Sequence, residues 1–221
     1  MRIEEELNKF WNSEFYPEWA VALRGPHGGF TYFDESKKGI LMKNVRMTDF
    51  QSFYPTLLID LHRRGYKVEG IDDKYQRIID ILSKSKSELS IDERVELNSF
   101  FGKIYKFSEI GKKVSSVVTF YARLIMQKLL ELNKENIFYI DTDRIIHQND
   151  LDFGDIRFKI IEVNIEYLKT NKIKKMVYLS ENKIHSKAYG KNKKDTDEVN
   201  SIVSEIRTQK RSDKIDSLGI F

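Results

Sequence analysis

The stretch NIFYIDTDRIIH, residues 136–147, places two aspartates one residue apart between two short apolar runs. Each run is typical of a brief buried strand, and the Asp-Thr-Asp between them is typical of the tip of a hairpin. The two carboxylates, Asp141 and Asp143, repel each other at this spacing, so folding alone gives no reason to keep them together. The stretch therefore predicts a β-hairpin that carries a site for positive charge.

The composition of the chain limits the class of protein to which it can belong. It has 221 residues, 40% of them hydrophobic and 33% charged, which is enough for one large domain with a buried core. No apolar run approaches the roughly 18 to 20 residues of a membrane span, and the acidic N-terminus is unlike a signal peptide. The absence of cysteine excludes disulfides and cysteine-ligated zinc. We therefore expect a cytoplasmic, unsecreted protein with no membrane partner.

Positive charge is concentrated in one segment of the chain. Residues 169–194 contain nine lysines and one acid, which gives +8 in a chain whose net charge is +4. One interpretation is a solvated charged face. The other is a surface for a nucleic-acid backbone, because the lysines alternate with Tyr178, His185 and Tyr189. The sequence leaves both interpretations open.

Helix and strand patterns along the chain predict an α+β fold. Residues 73–83 have apolar side chains at helical spacing, and Ser90 to Glu93 form a capping box that opens the next helix. The other predicted elements are a short helix at 3–12, strands in GGFTYF and GILMKNVRMTDF, helices in YPTLLIDLHRR, at 112–133 and near 197–209, and a second hairpin in KKMVYLSENKIHSKAYG.

Asp49 ends the strand in GILMKNVRMTDF and is a third acidic residue at a chain turn, together with Asp141 and Asp143. Carboxylate oxygens are the ligands that Mg²⁺ and Mn²⁺ prefer. Two such ions about 3.5 to 4 Å apart can support an in-line phosphoryl displacement. The structural alternative is that Asp141 forms a turn and that Asp49 caps a helix.

Two further groups of residues are suited to a nucleotide. Backbone amides at a strand-to-helix junction can bind a triphosphate, and this junction comprises Phe50, Gln51, Ser52, Phe53 and Tyr54. The helix after the capping box has a polar stripe of Arg94, Asn98, Gly102 and Tyr105, and a side predicted to pack, with Val95, Leu97, Phe101 and Ile104. A surface helix with an incidental arginine is the alternative.

Three motifs resemble those of family B DNA polymerases and occur in that family's order. DFQSFYPT, from Asp49, resembles D-x-x-S-L-Y-P-S; RVELNSFFGK, from Arg94, resembles K-x-x-x-N-S-x-Y-G; and YIDTDR, from Tyr139, resembles Y-x-D-T-D-S. GGFTYF, with Gly28 and Gly29, is similar to the Y-x-G-G segment of protein-primed phage polymerases, and KKMVYL is a looser match to the lysine–tyrosine motif. The resemblance covers about residue 20 to residue 180.

The resemblance implies a two-metal polymerase site. Asp49 and Asp143 would bridge two Mg²⁺ ions, for which Mn²⁺ can substitute, with Asp141 nearby. Tyr54 would stack under the sugar of an incoming dNTP and exclude a 2′-hydroxyl. The remaining implied contacts are those of Arg94, Asn98, Phe50, Gln51, Ser52 and Phe53 with the nucleotide, and those of Gly28, Gly29, Arg144, Lys174, Lys175 and Tyr178 with primer–template DNA.

The implied architecture is a polymerase palm with an antiparallel sheet, short two-helix fingers and a rudimentary thumb. The expected segments are an N-terminal segment and first part of the palm at 1–71, fingers at 72–108, palm at 109–168, and a basic hairpin and helix as a vestigial thumb at 169–221. Only 48 residues precede Asp49, so we expect no proofreading exonuclease. A weak grip on duplex DNA predicts distributive, salt-sensitive synthesis, unless a second protein supplies thumb, processivity or exonuclease function.

Three departures from the family pattern bear on the implied chemistry: Arg94 replaces lysine, Phe101 replaces tyrosine and Arg144 replaces serine. A cation at 144 either neutralises the neighbouring carboxylates and weakens metal binding, or points to the primer phosphates. Two alternatives therefore stand beside an active polymerase. One is an inactive nucleic-acid-binding subunit, and the other is the catalytic piece of a split or primase-like polymerase. The small size is associated with viral or mobile-element replicons.

Overall fold

The structure is a computed structural model, and it describes residues 5, 7, 8, 29–66, 72–84, 88–107, 109–154, 156, 158–172, 175–187 and 192–217. Gly28, Lys174, Tyr189 and most of the helix predicted at 3–12 lie outside these residues. The chain divides into two compact units. We call residues 1–30, 50–132 and 153–159 the helical unit, and residues 31–49, 133–152 and 160–221 the sheet unit.

The sheet unit contains seven strands in the order β1-β3-β4-β2-β5-β6-β7. In chain order the strands are β1 Thr31–Phe33, β2 Leu41–Phe50, β3 Ile137–Asp141, β4 Arg144–His147, β5 Ile160–Lys172, β6 Lys175–Ser180 and β7 Lys183–Lys187. The pairs β1–β3, β3–β4, β2–β4, β5–β6 and β6–β7 are antiparallel. The hairpin predicted from residues 136–147 is present as β3 and β4, and β4 lies between β3 and β2.

The helices are α1 Phe53–Arg63, α2 Asp72–Ser83, α3 Ile91–Phe107, α4 Glu109–Leu132 and α5 Lys193–Ser217. The first four belong to the helical unit, and their buried side chains recur at helical spacing. The sequence predicts that one face of α4 packs in the core, and on that face Val114, Val117, Val118, Tyr121, Ile125 and Leu129 are buried. The prediction is wrong for Leu132, the last residue of the helix, which is 45% exposed.

The predicted capping box at the start of α3 is also confirmed. The backbone N–H of Ser90 donates to Glu93 Oε2 at 3.0 Å, and the backbone N–H of Glu93 donates to Ser90 Oγ at 3.2 Å. Lys84 Nζ donates to Glu93 Oε1 at 2.5 Å. The hydrogen bonds from Lys84 and from the Ser90 amide lower the pKa of Glu93 to about 2.

Glu93→Gln is expected to reduce the loss of stability that the protein shows as the pH falls. A carboxylate with a lowered folded pKa stabilises the fold above its ordinary value of 4.5, and this contribution is lost as the pH falls from there towards about 2. Glutamine keeps the capping geometry but does not titrate. The midpoints of urea unfolding at about pH 6 and about pH 3 measure the effect, with Glu131→Gln on α4 as an exposed control. The same pH dependence in wild type and Glu93→Gln would contradict this prediction.

The prediction that Val95 packs is wrong, because Val95 is 61% exposed. The buried side of α3 instead carries Leu97, Phe100 and Ile104, which recur at helical spacing, whereas Val95 lies on the opposite side of the helix. Strand β5 was not predicted from the sequence. Its sequence signal is the alternation of Ile161, Val163, Ile165 and Tyr167 with polar residues.

Helix α5 belongs to the sheet unit, where it packs on the strands, and it is longer than predicted. Its buried residues Ile202 and Ile206 share a core cluster with Tyr167, Val177 and Leu179. Acidic residues of α5 also form ion pairs with lysines of the strands: Asp213 with Lys43 at 2.7 Å, and Glu205 with Lys169 and Asp195 with Lys175, both at 2.6 Å. Part of the basic segment 169–194 is therefore neutralised within the unit.

The predicted α+β fold with an antiparallel sheet is confirmed, and α2 and α3 form the predicted pair of helices. The division into four segments at 1–71, 72–108, 109–168 and 169–221 stays a prediction. Over the described ranges, no helix combines the length and the apolar character needed to cross a membrane.

Candidate functional site

Asp49, Arg144 and Asp141 lie side by side across three strands of the sheet unit. Arg144 at the start of β4 is the direct partner of Asp49 on β2 and of Asp141 on β3. Directly opposed residues of antiparallel strands project from the same face, with Cβ atoms about 4.5 to 5.5 Å apart. The register therefore places the guanidinium in a row between two carboxylates. We call these three residues the acidic row.

Arg144 is bound to one of the two carboxylates. Its Nη2 donates to Asp49 Oδ2 at 2.6 Å, and both side chains are about 30% exposed, at 27% for Arg144 and 31% for Asp49. Burial disfavours the charged guanidinium, but the hydrogen bond and the negative charge of Asp49 outweigh it and raise the pKa of Arg144. The pair also excludes one earlier alternative, that Asp49 caps a helix: residue Ser52 is the N-cap of α1, and it has no side-chain capping bond.

Asp141 is bound by a second cation that the sequence analysis did not identify. Lys187, the last residue of β7, donates to Asp141 Oδ2 at 2.5 Å. The Asp141 side chain is only 11% exposed. The two residues are 46 positions apart, so no local pattern marks this pair. Arg144 and Lys187 thus place protein cations beside carboxylates for which the sequence predicted divalent ions, and the metal stays a prediction.

Asp143 lies at the turn between β3 and β4. The preceding residue, Thr142, has φ +66°, in the left-handed region, and the backbone N–H of Asp143 donates to the carbonyl of Asp141 at 2.8 Å. Asp143 is half-buried. Burial, and next the negative charge of Asp49, raise the pKa of the Asp143 carboxyl. The three acidic side chains are thus near enough to repel one another, as the sequence predicted.

The donor chemistry of Asp49, Asp141 and Asp143 suits a divalent cation, but their arrangement does not fit one as it stands. In the part of the chain that the structure describes, no group of three or more acidic, histidine or cysteine side chains is placed to hold a metal ion. Two of the three carboxylates are bound by Arg144 and Lys187 instead. A metal would require these side chains to rearrange.

In the helical unit, the junction after Asp49 is largely a packing element. Phe50 and Phe53 are 1% and 2% exposed, and both rings contact Phe158. The backbone N–H of Gln51 donates to the carbonyl of Lys159 at 2.9 Å, and Ser52 has φ +49°. The side chains of both phenylalanines are therefore core residues, and contact of this junction with a nucleotide stays a prediction.

The other predicted nucleotide residues of the helical unit lie on α1 and α3. The ring of Tyr54 is half-buried and contacts Phe101, with centroids 5.1 Å apart. Arg94 is exposed on α3, and Asn98 lies one turn further along the same helix. Gly102 is exposed, and among the residues that the structure describes a Cβ there would meet no atom within 4 Å.

Among the described residues predicted to contact DNA, Arg144, Lys175 and Tyr178 belong to the sheet unit, and Gly29 belongs to the helical unit. Tyr178 on β6 stacks on His185 of β7, with ring centroids 4.7 Å apart. Lys175 is held by Asp195 at 2.6 Å, which sequence spacing did not reveal. Gly29 precedes β1, and contact of Gly29, Arg144, Lys175 and Tyr178 with DNA stays a prediction.

Comparison with known proteins gives a clear result at the level of structure alone. The sequence matches no protein-family model and no curated protein sequence. The fold is similar to Phi29 DNA polymerase complexed with primer-template DNA and incoming nucleotide substrates, with a TM-score of 0.59 and 12% identity, over 87% of this chain and 59% of that one. It is similar to an orthorhombic crystal form of Phi29 DNA polymerase, with a TM-score of 0.58 and 11% identity, over 89% of this chain and 62% of that one. The chain spans about three fifths of the length of these polymerases, and it has a polymerase-like fold.

Proposed function

We propose that this protein is a template-directed DNA polymerase, which adds dNTPs to a primer 3′-hydroxyl and releases pyrophosphate. The observation that carries the proposal is the acidic row with Asp143 beside it. The three carboxylates of the polymerase-like motifs meet in one unit, on adjacent strands of an antiparallel sheet. The polymerase-like fold adds support, because the sequence also carries three motifs that resemble those of family B DNA polymerases in that family's order.

The proposal assigns a role to each motif. Asp49, Asp141 and Asp143 are the residues that would hold Mg²⁺ or Mn²⁺ after Arg144 and Lys187 had moved, and these ions would supply positive charge for the phosphates. Tyr54 discriminates against a 2′-hydroxyl, and Arg94 and Asn98 bind the nucleotide. Primer–template DNA is held by Gly28, Gly29, Arg144, Lys174, Lys175 and Tyr178.

A second candidate function is a nucleic-acid-binding subunit without catalysis. The observation that favours it is the Arg144–Asp49 ion pair, because a carboxylate that is neutralised by a protein cation needs no metal. This candidate predicts DNA binding that is unchanged by Asp49→Asn or by added divalent ions.

Primer extension on a labelled primer–template separates the two candidates. The polymerase predicts extension with dNTPs in Mg²⁺ or Mn²⁺ and much less extension with NTPs. Tyr54→Phe keeps the ring and should keep this discrimination, whereas Tyr54→Ala should admit NTPs. DNA binding with no extension in either metal would reject a self-sufficient polymerase and leave the binding subunit or the catalytic piece of a split polymerase.

Gly102→Ala tests whether the open space on α3 is used by a substrate. Alanine in place of an exposed helical glycine stabilises a protein by about 0.5 to 1 kcal/mol, and here the added methyl meets no neighbour. We therefore expect a higher melting temperature together with a raised KM for dNTP. Lys103→Ala, at the adjacent exposed position, is the control and should change neither quantity appreciably. A stabilised Gly102→Ala protein with an unchanged KM would show that the glycine serves no substrate.

A further inference from the structure

The position of Arg144 on the sheet decides what can reach Asp49. Strand β4 lies between β3 and β2, and Arg144 is opposed to Asp141 on one side and to Asp49 on the other. All three side chains start from one face. A long side chain at position 144 therefore competes with any ligand that would bridge these two carboxylates.

The guanidinium is a strong competitor. It is permanently protonated, and it is hydrogen-bonded to Asp49 Oδ2 at 2.6 Å. Because both side chains are about two-thirds buried or more, at 27% and 31% exposure, their attraction is less screened by water than that of a surface pair. A divalent ion therefore has to compete with this cation for the negative charge of Asp49.

The formal charges lead to the same conclusion. Asp49, Asp141 and Asp143 contribute −3 when ionised, and the bound Arg144 and Lys187 contribute +2, which leaves −1. Two divalent ions would bring this sum to +3 if both protein cations stayed in place. The departure of at least one protein cation lowers this excess, as the phosphates of a bound nucleotide also would.

We infer that Arg144 is a built-in counter-ion that competes with divalent cations for Asp49, so that the site takes up metal only when the guanidinium releases this carboxylate. The inference rests on the proposed function for the class of ligand, Mg²⁺ or Mn²⁺. A serine, as in the polymerase motif that YIDTDR resembles, carries no charge and therefore cannot form this ion pair. Residue 144 thus sets the metal concentration at which the site fills.

Titration with Mn²⁺ alone, followed by the electron paramagnetic resonance signal of the free ion, tests the inference. Arg144→Ser is expected to bind Mn²⁺ at least about tenfold more tightly than wild type, because it removes the competing charge. Arg46→Ser is the matched control. Arg46 lies on β2 on the opposite face from Asp49, and its Nη1 is 2.6 Å from Asp150 Oδ1, so the control also releases one aspartate from an arginine.

Affinities of Arg144→Ser and wild type within about twofold of each other would overturn the inference, as would an equal gain in Arg46→Ser. Two further measurements apply if Arg144→Ser does not fold. Arg144→Gln retains a hydrogen-bond donor for Asp49 without the charge, and it should also tighten Mn²⁺ binding. In ¹⁵N-arginine-labelled wild type, the Nε–Hε resonance of Arg144 should shift as Mg²⁺ saturates the protein. Saturation with no shift would contradict release of the guanidinium.

The metal titration and the primer-extension assay test the counter-ion inference and the polymerase proposal separately. Tighter Mn²⁺ binding by Arg144→Ser without any primer extension would support the counter-ion and reject the polymerase. Extension by wild type, with an unchanged affinity for Mn²⁺ in Arg144→Ser, would support the polymerase and reject the counter-ion.

Discussion

Primer extension is expected to fall at least about a hundredfold when Asp143 is replaced by asparagine. Asparagine has almost the same shape but no charge, and the proposed reaction needs this negative charge next to Asp49. Single-turnover extension with saturating dNTP measures the loss. Asp150→Asn, at an exposed aspartate of the same unit, should extend at close to the wild-type rate.

Asp143→Asn should lower the rate of primer extension without lowering the stability of the fold at neutral pH. Burial and the charge of Asp49 raise the pKa of Asp143, so its contribution to stability is full below the ordinary value of 3.8 and is lost as the pH rises through the raised value. Asp143→Asn is therefore expected to melt no lower than wild type at neutral pH without divalent ions, and its advantage should shrink in acid. Melting curves at about pH 4 and about pH 7 measure this difference. A strongly destabilised Asp143→Asn protein would show that the carboxylate serves the fold.

Ile206→Ala should lower the free energy of unfolding by about 2 to 5 kcal/mol. Ile206 is fully buried, and α5 contributes it to the core cluster that contains Tyr167, Val177 and Leu179. Truncation leaves a cavity between the helix and the strands. Urea unfolding measures the change.

Arg207→Ala provides the control on the same helix. Arg207 is exposed, so its truncation should alter the free energy of unfolding by no more than about 0.5 kcal/mol. Equal, small effects of both substitutions would mean that α5 does not pack on the sheet. In that case α5 would be a helix of the vestigial thumb predicted for 169–221, without a core shared with the strands.

Local patterns allowed much of the fold to be predicted. The hairpin of β3 and β4 follows from two apolar runs around Asp141 and Asp143, and the capping box follows from the spacing of Ser90 and Glu93. Both depend on residues that are close in sequence. The strand β5 was missed although its alternation is visible, because the boundary placed at residue 169 for the basic segment falls inside the strand.

Pairing between distant residues could not be predicted. The bond from Lys187 to Asp141 joins two hairpins, and the bonds from Lys169 and Lys175 to acids of α5 depend on where that helix packs. Composition alone left these lysines as a solvated face or a DNA surface. For the three of them, the structure adds a third interpretation, since each is paired with an acid of its own unit.

Incorporation of single nucleotides tests template-directed synthesis most directly. Each of the four dNTPs is supplied alone, with Mg²⁺ and then with Mn²⁺, to four primer–templates that differ only in the templating base. We expect one-nucleotide extension by the complementary dNTP in each case, and no extension by Asp49→Asn under the same conditions. Addition that ignores the templating base, or no addition in all combinations despite binding of the primer–template, would contradict the proposed polymerase.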